Sequence, residues 1–118
     1  MKYDLEERLI SFAVLVMDVV ESLPRTRAGN HMAGQLIRSG TSPALNYGEV
    51  QSAESRNDFI HKVKVVLKEL RETKIGLAII ERKRLSRTPR HVGQCEGECE
   101  QLIAIFAKSV QTAEANRK

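Results

Sequence analysis

His91, Cys95 and Cys99 stand one helical turn apart, and three such side chains on one face are the first place to look for a metal. Structural zinc usually takes four ligands, commonly from two separate segments, and His31 and His61 are isolated from this trio. The spacing therefore reads as two small thiols buried in a helical core, and no metal is expected. Asp58 and His61 have the spacing of one half of a paired-metal site in a helical bundle, but the second half is missing and Asp58 is better used as a helix cap. No Ser, His and acid are joined by order or flanking motif, and no glycine-rich phosphate loop occurs. The expectation is a protein with no catalytic residues and no cofactor.

Two polar groups remain. Asn46, Tyr47 and Glu49, with Arg38 nearby, are either a hydrogen-bonded cluster that fixes a helix bend or a subunit register, or the lining of a functional cleft. Arg82, Lys83, Arg84, Arg87 and Arg90 fall within nine positions with no acid among them. Against 15 acids the chain has 19 Lys and Arg, a surplus of only +4, so this local concentration matters more than the sum. Such a cluster can meet phosphates or can be a solvated linker. Lys64, Lys68 and Arg71 make a basic stripe along a helix and, with Arg38, complete the candidate nucleic-acid-binding set.

Helices must position these residues. Phe59, Val63, Val66, Leu70, Leu77 and Ile80 alternate in steps of four and three, with Thr73 filling the gap, which is the seam of a long bundle helix. Ser55 followed by Asp58 resembles a capping box at its start. A first helix is predicted over Asp4 to Leu23, ended by Pro24, with Leu5, Leu9, Phe12, Val16, Val19 and Leu23 as its core stripe. A second helix follows a Gly29-Asn30 cap and is expected to continue, kinked, through Gly40 and Ser42-Pro43 to a turn over Gln51 to Arg56. A loop over Ser86 to Gly93 leads to a fourth helix from about Gln94 to Ala115, with Cys99, Leu102, Phe106, Val110 and Ala113 inward and Glu96, Glu98 and Glu100 near its start. Asn116 to Lys118 should fray. Ile10, Val14 and Met17 on the first helix, and Val65, Leu67, Ile75 and Ile79 on the third, lie outside the seams and are read as an oligomer interface.

The run Arg38-Ser39-Gly40-Thr41-Ser42, then Asn46-Tyr47 and Glu49, Asp58-Phe59-Ile60, and Leu67-Lys68-Glu69 with Glu72-Thr73 resembles the bacterial four-helix-bundle family whose members are often labelled 23S rRNA intervening-sequence proteins. The resemblance extends from Tyr3-Asp4-Leu5-Glu6 to Asn116-Arg117-Lys118. It implies an antiparallel up-down-up-down bundle, a homopentameric ring and a role with nucleic acid, RNA or DNA, while most members have no assigned activity. The alternative is an adaptor whose oligomer binds another protein.

A chain of 118 residues holds one core, here aliphatic because Trp is absent and aromatics are few. No apolar run reaches the length of a membrane span, and Met1-Lys2-Tyr3-Asp4 does not open a signal peptide, so a cytoplasmic protein with no membrane partner is expected.

Overall fold

The apolar spacing produces four helices. The computed structural model describes residues 4–116, and the expectations that touch Met1 to Tyr3, Arg117 and Lys118 lie outside them. The helices are α1 (Leu5–Glu21), α2 (Arg27–Gln51), α3 (Arg56–Lys83) and α4 (Pro89–Ala115). Each packs on the next and α4 closes back onto α1. Cross-links fix the antiparallel order: Gly40 of α2 lies against Val16 of α1, Arg38 of α2 reaches Glu69 of α3, Cys99 of α4 donates to the Leu70 carbonyl, and Arg8 of α1 pairs with Glu98 of α4.

Leu9, Phe12, Val16 and Val19 of α1 meet Leu36, Val63, Val66, Leu70, Leu77, Ile80, Leu102 and Phe106 in the interior. Two expectations about α3 are corrected. Leu67 is only 6% exposed and belongs to this core, not to an outer interface, and the seam begins at buried Ile60 while Phe59 is half-buried. A helix flanked by both α2 and α4 buries a wider arc than a single seam, so neighbouring positions are drawn inside.

The helix ends also move. Thr26 caps α2, its hydroxyl accepting from the Gly29 N–H at 3.0 Å, so Gly29 and Asn30 lie inside the first turn. Ser55 caps α3 by accepting from the Asp58 N–H at 3.0 Å, and the Asp58 carboxylate in return accepts from the Glu54 N–H at 3.0 Å. Pro89 starts α4, where its missing N–H removes nothing the helix uses, so Gly93 is helical and the expected long loop is short. Glu96, Glu98 and Glu100 accordingly lie about two to three turns inside α4, beyond the reach of its N-terminal dipole.

α2 runs as one helix through Gly40 and Pro43, as the sequence reading expected. Gly40 is required by approach: a Cβ there would lie 2.6 Å from Val16 Cγ1. Beside it, Ser39 and Thr73 share a buried hydrogen bond of 2.9 Å between α2 and α3.

Candidate nucleic-acid interface

An antiparallel bundle gathers the end of α1, the start of α2, the end of α3 and the start of α4 at one pole. Arg82 and Lys83 occupy the last turn of α3, Arg84 follows it, Arg87 lies in the connection, and Arg90 sits in the first turn of α4. The same topology brings in Arg25 and Arg27, which the sequence reading missed although the up-down order alone would have placed them here. The acids of this pole are Asp18, Glu21, Glu81 and, hydrogen-bonded to Glu81, Glu96. Seven cations against four acids leave most of the formal surplus of +4 at this end.

The connection is fixed in shape. Arg84 has φ 55°, the left-handed position that closes a Schellman motif, with the Leu85 N–H donating to the Ile80 carbonyl at 3.1 Å and the Arg84 N–H to that of Glu81 at 3.1 Å. Glycine is the usual residue there because a Cβ is strained at positive φ. Leu85 then packs on the core. Arg87 ties the connection to α1: its N–H donates to the Ser22 carbonyl at 3.0 Å and its guanidinium to the Glu21 carbonyl at 3.3 Å, while Ser22 and Ser86 hydroxyls lie 2.6 Å apart. Among the described residues none of these seven cations has a carboxylate partner.

Cations on the flanks differ. Arg38 bonds Glu69 at 3.2 Å and Glu72 at 3.1 Å, and the Glu72 hydrogen bond, then the Glu69 charge, hold its pKa above the ordinary value. Lys64 pairs with Glu114 at 3.2 Å, whereas Lys68 and Arg71 line an open α2–α3 groove of about 680 Å3. The basic set named from sequence is thus brought together only in part: the Arg82 to Arg90 group forms the pole, Lys68 and Arg71 line the groove with Arg38, and Arg38 and Lys64 are engaged with acids.

Asn46, Tyr47 and Glu49 do not converge. Asn46 donates to Ser42 at 2.9 Å on the surface, Glu49 reaches Lys62 at 3.5 Å, and the Tyr47 ring meets Phe106 edge-on at 6.3 Å. Burial first, then the charges of Glu6 and Asp4, push the Tyr47 hydroxyl upward. The Cys95 and Cys99 thiols are buried and pushed up to about 12, chiefly by that burial, which keeps them protonated and unreactive. His91 is half-buried, and no three His, Cys, Asp or Glu among the described residues converge as metal ligands. No helix among them is long and apolar enough to cross a membrane.

The fold is similar to a crystal structure of a protein of unknown function from the S23 ribosomal protein family of Bacteroides thetaiotaomicron, with a TM-score of 0.79 and 26% identity over 91% of this chain and 98% of that one. No family model matches the sequence, and no curated protein does. The neighbour's family is S23 ribosomal protein, whereas the sequence motifs resemble the intervening-sequence proteins; the all-α four-helix arrangement is common ground.

Proposed function

We propose that this chain is a non-enzymatic, homo-oligomeric cytoplasmic protein that binds RNA or DNA through the basic pole. The observation that carries the reading is the unpaired state of Arg25, Arg27, Arg82, Lys83, Arg84 and Arg90, with an arginine kept at a left-handed position that glycine fills at less cost. Each phosphate met by these groups releases counterions, so affinity falls steeply with salt and depends little on sequence. The resemblance to 23S rRNA intervening-sequence proteins, and a neighbour from a family named for a ribosomal protein, support RNA as the first polymer to try. Titration of a structured RNA and a duplex DNA at low and rising salt tests the reading, and absence of binding to both at low salt overturns it.

The oligomer rests on the apolar residues that one core leaves outside: Ile10, Val14 and Met17 on α1, and Val65, Ile75 and Ile79 on α3. A ring of five is what the resemblance implies. A second reading, an adaptor whose oligomer binds another protein, is favoured by Leu45, which is 78% exposed on α2. A pull-down partner that survives nuclease treatment would support it.

A further inference from the structure

Two surfaces of the bundle are apolar in the middle and charged at the ends, with opposite signs. On α1 the stripe Glu7, Ile10, Val14, Met17 and Glu21 follows three-four spacing along one exposed face, and Asp18 borders it. Neither Glu7, Asp18 nor Glu21 has an ion-pair partner among the described residues. Across the molecule, the α2–α3 groove is lined by Met32, Ile75 and Ile79, with Gly76 also lining it. Lys68 and Arg71 stand at one end of that lining, beside Arg38 and the Glu72 it neutralises at 3.1 Å, and Arg82 follows one turn beyond Ile79.

We propose that the groove receives α1 of a second copy of this chain, so that an acid-apolar-acid ridge seats in a base-apolar-base groove. This deepens the oligomer reading above and rests on it. The lengths agree: Glu7 to Glu21 and Lys68 to Arg82 are the same distance along a helix, about 21 Å in each case. A two-fold contact of like surfaces is disfavoured, because ridge on ridge opposes acids and groove on groove opposes bases. Gly76 leaves the groove without a side chain at that point; a Cβ there would already touch Leu36 Cδ1 at 3.4 Å. Each subunit has one ridge and one groove, so the contact is head to tail and repeats until a ring closes. Lys68, Arg71 and Arg82 are then spent between subunits, and phosphate is left to Arg25, Arg27, Lys83, Arg84, Arg87 and Arg90.

Sedimentation velocity on the full chain at micromolar concentration tests this, using E7K/E21K for the ridge, K68E/R82E for the groove, and circular dichroism to establish that each stays helical. Each pair is expected to raise the concentration at the dissociation midpoint at least about tenfold. Mixing the two variants is expected to restore association, since a basic ridge then meets an acidic groove and an acidic ridge a basic one. The mixed assemblies alternate and are open or even in number, because a ring of five would keep one like-charged joint. Unaltered protein sedimenting at 13.3 kDa overturns the oligomer reading and this one together, leaving the groove to a different protein. An oligomer that keeps its mass in both variants, or variants that dissociate but fail to recombine on mixing, overturns the ridge-and-groove pairing alone.

Discussion

The two ends of the bundle are built from the same parts, helix starts, helix stops and short connections, yet they treat charge differently. At the end formed by the start of α1, the end of α2, the start of α3 and the end of α4, charged groups answer one another. Lys62 lies 3.2 Å from Asp58 and 3.5 Å from Glu49, Lys64 lies 3.2 Å from Glu114, and the Arg56 guanidinium donates to the Asn116 carbonyl. At the opposite pole seven cations face four acids, Asp18, Glu21, Glu81 and Glu96, and among the described residues pair with none of them. Charges at the first end are found with partners, whereas the crowded cations of the pole repel one another, a cost that solvent, salt or a bound anion relieves.

The largest effect separating the ends is expected in binding. Reversing Arg84, Arg87 and Arg90 to Glu should weaken RNA affinity by at least about a hundredfold and flatten the salt dependence by roughly one unit of slope for each phosphate no longer neutralised. Replacing Lys62 and Lys64 by Ala at the other end should leave the titration unchanged, and equal losses from both ends would erase the distinction. Next comes a control on the interior that both ends share. Gly40→Ala should cost about 1–3 kcal/mol in denaturant unfolding, because the β-branched Val16 has no flexible end to yield.

Arg84→Gly sharpens the comparison through its sign. Relief of the left-handed backbone should stabilise the chain by about 0.5–1 kcal/mol while RNA binding weakens. A variant both less stable and unaltered in binding would make Arg84 a structural residue. The smallest effects are in pH dependence. The Glu54 N–H, then Lys62, holds the Asp58 carboxyl below its ordinary value. Its contribution is therefore full at neutral pH and is lost as pH falls from the ordinary carboxylate range through the lowered value. For Glu96, burial and then the Glu81 carboxylate raise the value, so the folded state favours the protonated acid. Its penalty at neutral pH relaxes as pH falls through the raised value. Glu81→Gln should accordingly raise stability in denaturant unfolding at pH 7 by no more than about 0.5 kcal/mol, with the gain vanishing in acid. A gain that persists unchanged at acid pH would show that the pair is not its source.

Helix number, order and most core positions were legible because three-four spacing survives wherever one face is buried: Val63, Val66, Leu70, Leu77 and Ile80 were read correctly from spacing alone. Leu67 was not, since a stripe rule knows one neighbour and α3 has two. The helix starts at Arg27 and Pro89 were obscured by Gly29-Asn30 and Gly93, residues that commonly mark ends and here lie within helices. For the candidate site, a run of charge in sequence reveals the Arg82 to Arg90 cluster. The separation of free from engaged cations depends on pairings between distant residues, such as Arg38 with Glu69, and periodicity contains no trace of those. The scatter of Asn46, Tyr47 and Glu49 onto separate partners was hidden for the same reason.

Because the molecule is 50 Å along its longest axis, the placement of most of its surplus charge at one end would also govern an encounter with a polyanion. If the proposed binding holds, an approaching RNA should turn the bundle before touching it, presenting the pole first and shortening the search over wrong orientations. Added salt, with a screening length of about 8 Å at physiological strength, removes that torque at a distance while the ion pairs formed at close range persist longer. Association should therefore slow at lower ionic strength than dissociation accelerates, a kinetic signature of a charge concentrated at one end that an evenly basic protein of the same net charge would lack.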